Sequence, residues 1–265
     1  MNALIKQAGL LKKIIDAIKD LIDEATLDCD NDGIYLQAMD SSHVSLVTFY
    51  LKKNLFEKYS CNRNLSLGIN MTSIAKILKC GMSDDTLLLE TNNPIDILSF
   101  KFESRRGHKL SQFQLRLMNL EMERLSIPDT EYSCIIEMMC SEFSKVCHDL
   151  ATIGDSMTIT CTKKNVTFDT TGDLGTGIVS LKQGVVGSEN DENVYAASIK
   201  IVKPVSLSFS LRYLIYFTKA SSLSNKVILH MGEEVPLMVE YKIFNTYEEE
   251  AGYLRYFLAP KVNEE

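Results

Sequence analysis

Three short stretches carry residue types that could do chemistry. Asp40-Ser41-Ser42-His43 holds the acid, hydroxyl and imidazole of a nucleophilic triad. Members of a triad meet across a fold, however, and neighbours in sequence seldom align for proton transfer. Gly172, Gly175 and Gly177 (GDLGTG) have the glycine density of a phosphate-cradling loop. No Lys-Ser/Thr pair follows and the glycines are not in G-x-G-x-x-G order, so turn glycines account for them better. Cys134, Cys140 and Cys147, with His148 beside the last, offer metal ligands. Zinc sites use closer pairs, so buried structural thiols are expected there instead. The other histidines, His43, His108 and His230, make no ligand-spaced pair. No catalysis, metal or cofactor is expected.

What remains is charge and its placement. The chain has 265 residues, 28 Lys and Arg against 35 Asp and Glu, and a net charge of −7. That balance opposes nucleic acid as a partner unless the basic residues are segregated. Hydrophobic residues at 45% and charged residues at 24% are the proportions of a soluble globular protein, long enough for two modest domains. No apolar run approaches the ~20 residues of a membrane helix, and residues 1–13 lack the pattern of a signal peptide. No membrane partner is expected. The seven cysteines include no C-x-x-C pair, which fits reduced thiols in the cytosol or nucleus.

The elements that must position the charges come in two copies. Shifted by 132, residues 9–40 lie on 141–172 without a gap: Leu11 meets Phe143, Ile14 meets Val146, Ile18 meets Leu150 and Cys29 meets Cys161. Shifted by 140, Leu67 meets Leu207, Lys79 meets Lys219 and Leu89 meets Leu229. The eight extra residues fall in a polar loop at 184–193. Each copy reads as helix, strands, helix, strands. Leu11, Ile14, Ile15, Ile18, Leu21 and Ile22 recur at helical spacing. Alternating runs at 33–38, 44–51 and 66–70 precede a second helix over 72–80, and strands follow at 86–90, 98–103 and 112–117. Few helices and many short strands imply an α+β unit with helices on one face of antiparallel sheet.

The second helix of each copy is basic and free of acids: Lys76 and Lys79 in the first, Arg212 and Lys219 in the second. The first helices carry Lys12, Lys13 and Lys19, and Lys145 and His148, diluted by acids. Basic charge at equivalent places of a repeat, without a recognition motif, suggests contact with phosphates and no sequence readout. Between the copies, Met118, Leu120, Leu125 and Ile127 are the apolar residues of a connector containing Pro128. They either pack on a sheet or edge a groove; physics alone favours packing.

The motifs LQAMDSSHVSLV, TSIAKILKCG, IPDTEYSC, LRYLIYFTKA, VPLMVEYKI and LRYFLAPK resemble those of the proliferating cell nuclear antigen family of eukaryotic sliding clamps, almost end to end. The resemblance implies a duplicated sliding-clamp fold, α+β, with antiparallel sheets outside and helices lining a trimeric ring. It implies domains at 1–117 and 134–265 joined by a connector at 118–133. Cations lining the hole would be Lys12, Lys13, Lys19, Lys76, Lys79, Lys109, Lys145, His148, Arg212 and Lys219. A groove for partner peptides would use Met39, His43, Val44, Leu46, Leu125, Ile127, Pro128, Pro236, Phe257, Leu258, Ala259 and Pro260, which reverses the packing preference for the connector. Phe113, Leu115, Ile178 and Leu181 would form the seam between subunits, and Lys163 matches a modified lysine.

The partners so implied are encircled double-stranded DNA, two further copies of the chain, DNA polymerase, clamp loader, flap endonuclease and DNA ligase, in the nucleus. A nuclease accessory subunit is the other reading, and solution mass separates the two. The chain departs from the family at three places. His148 replaces an Arg, so its charge depends on pH. Phe257 replaces a Tyr, and NTYEEEAG before Tyr253 is longer and more acidic than usual.

Overall fold

The computed structural model describes residues 1–91, 95–120, 125–127, 130–186 and 196–261. Two compact units form: Met1–Ser126 with Lys242–Leu254, and Ile127–Tyr241 with Arg255–Glu265. Residues 242–254, which the sequence places with the second copy, thus join the first.

The first unit contains β1 (Asn2–Ile5), α1 (Ala8–Ile18), β2 (Glu24–Cys29), β3 (Gly33–Met39), β4 (Ser45–Lys52), β5 (Lys58–Ser60), β6 (Leu65–Asn70), α2 (Met71–Leu78), β7 (Thr86–Glu90), β8 (Ile97–Glu103) and β9 (Leu110–Arg116). Its strands run in the orders β5-β1-β7-β8-β9 and β6-β2-β3-β4. Period-two alternation builds them: Leu87 and Leu89 of β7, like Leu98, Phe100 and Phe102 of β8, are buried every second residue. Period 3.6 builds the helices. α1 buries Leu11, Ile14, Ile15 and Ile18 and packs on α2, which buries Met71, Ile74, Ala75 and Leu78. The helical pattern continues to Ile22, yet α1 stops at Ile18. Ile22 still reaches the core from a turn in which its amide donates to the Ile18 carbonyl, 3.1 Å away. Asn70 starts α2 by accepting from the Ser73 amide at 3.0 Å.

The second copy repeats that order: β10 (Cys134–Met139), α3 (Cys140–Ala151), β11 (Ser156–Cys161), β12 (Asn165–Gly172), β13 (Gly175–Lys182), β14 (Ser198–Ile201), β15 (Val205–Ser210), α4 (Leu211–Thr218), β16 (Lys226–Met231), β17 (Leu237–Phe244) and β18 (Glu250–Leu258). Its sheets run β14-β10-β16-β17 and β13-β12-β11-β15. The α+β duplication expected from the offsets is the architecture observed. β13 is therefore the counterpart of β4, and β18, the last strand of its copy, that of β9. Burial of Phe217 flat on Tyr256, centroids 4.4 Å apart, anchors α4 to β18. Such a stack adds about 0.5–1.5 kcal/mol beyond its buried area.

One cysteine expectation is corrected. Cys134 and Cys161 are joined in a disulfide between the start of β10 and the end of β11, whereas Cys29, Cys61, Cys80, Cys140 and Cys147 are free. Twenty-seven residues separate the bonded pair, so only the strand arrangement brings them together. Cys140 and Cys147 are buried on α3 while His148 faces outward, and the three do not converge.

Candidate functional site

Each helix pair buries its apolar stripe and so turns its cations to solvent. Lys13, Lys76, Lys79, Lys145, His148, Arg212 and Lys219 are exposed, and Lys12 and Lys19 are half-buried. Lys19 is bound to Asp16, which offsets part of its charge. His148 donates from Nδ1 to the Ser144 carbonyl one turn back, at 2.7 Å, leaving Nε2 outward. Lys219 lies over the Tyr216 ring at 4.8 Å, a contact that fixes its ammonium just past α4.

Lys109 stands apart from the helices, at the tip of the β8–β9 hairpin, where the Ser104 amide donates to the Lys109 carbonyl at 2.9 Å and the Lys109 amide donates to the Ser104 hydroxyl at 3.0 Å. Arg105 and Arg106 are exposed on the same tip. Sequence reasoning overlooked both, although the run Arg105-Arg106-Gly107-His108-Lys109 carries the signal.

The residues expected at a seam lie on two edge strands. β9 ends the first sheet of its unit and β13 ends the second sheet of its own; among the described residues neither has a strand on its outer side. Ile178 of β13 is 66% exposed, and Phe113 is half-buried with its ring 6.0 Å from that of Phe102. Leu115 and Leu181 are buried within their own units, because alternation turns them inward. They support the edges and offer no surface of their own. Leu110, 69% exposed at the start of β9, is an apolar edge residue that the sequence reading missed.

The first unit holds half of the expected groove. Met39 and Leu46 are cross-strand partners at the end of the β3–β4 hairpin. Asp40 closes that hairpin by accepting from the amides of Ser42, Val44 and Ser45 at 2.9, 2.8 and 2.6 Å. Its carboxylate is thereby committed to a turn, which places His43 at φ 56° and leaves His43 and Val44 exposed. This is what the Asp-Ser-Ser-His stretch does structurally. Gln37, two residues before Met39 on the same face, holds the connector. Its Nε2 donates to the Leu125 carbonyl at 3.0 Å, and its Oε1 accepts from the Leu125 amide at 2.7 Å. Leu125 is thus held against β3 with 47% of its surface exposed. At its other end the connector lies against Gly68, where the Met118 amide donates to the Gly68 carbonyl at 2.9 Å. A Cβ on Gly68 would stand 2.2 Å from the Met118 oxygen, so only glycine permits this approach.

In the second unit Ile127, Pro236 and Ala259 are exposed and Pro260 is half-buried. Leu258 is fully buried and Phe257 nearly so, which makes them the support beneath Ala259 and Pro260. Pro128 lies outside the described residues. Lys163 and Lys164 are both exposed at the β11–β12 turn, which Thr162 shapes by accepting from the Asn165 amide.

The connector's apolar residues divide accordingly: Leu120 is half-buried against Gly68, and Leu125 and Ile127 present their side chains outward. Two family models match the chain. Residues 1–125 match the one described as proliferating cell nuclear antigen, N-terminal domain, and residues 126–261 the one described as proliferating cell nuclear antigen, C-terminal domain.

Proposed function

Because the chain belongs to the proliferating cell nuclear antigen family and is a DNA sliding clamp, we propose that three copies close into a ring around duplex DNA in the nucleus. The ring acts as a processivity factor and docking platform without catalysis of its own. It tethers the replicative polymerase and receives clamp loader, flap endonuclease and DNA ligase through short hydrophobic motifs at the groove residues. One observation carries this reading: two edge strands of seven and eight residues, β9 and β13, have no strand on their outer sides among the described residues and bear exposed Leu110 and Ile178. A long open edge invites another chain, and joining β9 to β13 head to tail under threefold rotation closes both of these edges in every copy.

Charge sets how such a ring meets DNA. Three chains at −7 total −21, so overall attraction cannot retain it. The helix cations act locally, within a Debye length of ~8 Å at physiological salt. Phosphate contact of that kind is independent of sequence and allows sliding. Retention then comes from encirclement. The Arg105–Arg106 hairpin adds two cations beside Lys109 to the same set.

Replacing Lys76, Lys79, Arg212 and Lys219 together with Ala tests the assignment. The variant is expected to keep its assembly state and peptide binding, and to lose DNA affinity and polymerase stimulation with a shallower salt dependence. An unchanged salt slope would remove these helices from the DNA-facing surface.

A further inference from the structure

Beside the pinned connector, wholly within the first unit, lies a cleft of about 570 Å³ whose tyrosines and aspartates have no part in the preceding roles; only Leu125 is shared with the groove. Its floor is a row of tyrosines on adjacent strands. Tyr35 of β3 and Tyr50 of β4 are cross-strand partners, and the Tyr50 ring lies 6.1 Å from that of Tyr253 in β18. Asp30 and Asp32, both exposed in the β2–β3 turn, form one rim, and Leu125 forms the other. No Lys or Arg lines the cleft among the described residues. Lys53 reaches Asp32 from outside at 3.6 Å, in a pair more than half exposed and therefore weak.

We infer that this cleft receives a lysine or arginine side chain from the partner segment that flanks the motif bound at the groove. Two properties select a cation. Tyrosine faces attract ammonium and guanidinium groups through the ring quadrupole, and the carboxylates of Asp30 and Asp32 supply the matching charge. The field of those carboxylates reaches the floor: burial raises the Tyr50 phenol, and both aspartates raise it further. An acidic ligand would meet repulsion, and an apolar one would leave the rim unused. The position follows from Gln37, which lines the cleft and lies two residues before Met39 on the same face of β3, so a peptide leaving the Met39–Leu46 end of the groove along β3 passes toward the tyrosines. This inference rests on the docking role proposed above and deepens it.

The test titrates the full-length protein with three fluorescent peptides: a hydrophobic motif alone, and the same motif extended at one or the other end by four Lys and Arg residues. At −7 net charge any basic extension gains some general attraction. Only the gain removed by cleft substitutions therefore belongs to the cleft. One extension is expected to tighten binding about three- to fivefold, the scale of a cation over exposed aromatic rings. Tyr50→Ala and Tyr253→Ala should each abolish most of that gain while motif-only affinity holds. Asp30→Asn serves as a second variant, because an amide can still accept from the Asp32 and Gly33 amides that Asp30 now caps at 2.8 and 3.1 Å. It should reduce the gain without loosening the turn. An identical gain in parent and variants, or an equal gain from an acidic extension, overturns the inference. Loss of binding by the motif-only peptide overturns the groove and the cleft together.

Discussion

β4 and β13 occupy the same place in the two copies, yet their outer edges differ. Along β4 lie residues 250–254 of the last strand, and the approach is close. A Cβ on Gly252 would stand 2.1 Å from the Tyr50 carbonyl oxygen. Glu250 fastens the same stretch by accepting from Lys52 of β4 at 3.3 Å and from Lys242 at 3.0 Å. β13 has no such cover among the described residues, and β9, the counterpart of the covering strand, is bare as well. The repeat thus offers within one chain an image of the contact expected between chains. One edge is filled by the chain's own last strand, and in the proposed ring its twin would take the β9 of a neighbour.

The largest expected effect comes from charging the bare edges. With Phe113→Asp and Ile178→Asp combined, folded monomers should appear in light scattering, with circular dichroism unchanged. A persistent assembly would move the seam elsewhere. The covered edge should respond differently, through folding. Gly252→Ala forces a methyl group toward the Tyr50 carbonyl and should destabilise the first unit by about 1–3 kcal/mol in urea melts. An unperturbed midpoint would show that the closeness of this approach is unimportant.

Peptide docking should be independent of both edges. Ile127→Ala is expected to weaken a hydrophobic motif by about 1–3 kcal/mol in calorimetry, with assembly intact. Unchanged affinity would relocate the groove. The smallest effect belongs to Glu250→Gln. The Lys242 hydrogen bond holds the Glu250 carboxyl below its usual range, against a smaller opposing effect of burial. A carboxyl so lowered lends stability above its unfolded value and loses it as acid carries pH down through its folded one. The pair is solvent-exposed, so the substitution should cost under ~1 kcal/mol at neutral pH and nothing once both states are protonated.

Much of this architecture could be read before any coordinates. The expected strands at 86–90 and 98–103 coincide with β7 and β8 within a residue, because their alternating leucines and phenylalanines are a local signal. β2 was not recognised: its buried residues are Ala25, Leu27 and Cys29, and the small Ala25 and Cys29 give a faint apolar period between Glu24 and Asp28. Long-range pairing was beyond local pattern altogether. Nothing in the composition of β4 and β13 says which one finds a cover, or that Cys134 meets Cys161. Site residues followed the same division. The cations of the helices were visible as spacing, whereas the inward turn of Leu115, Leu181 and Leu258 depends on tertiary packing. The tyrosine row escaped notice because Tyr35, Tyr50 and Tyr253 become neighbours only once their strands align.

The central claim is that the open β9 and β13 edges close on one another between three copies. Sedimentation equilibrium of the unmodified protein over a range of micromolar concentrations tests it most directly. The account predicts a single species of three times the 29.9 kDa chain mass. A monomer or a dimer across that range would contradict it.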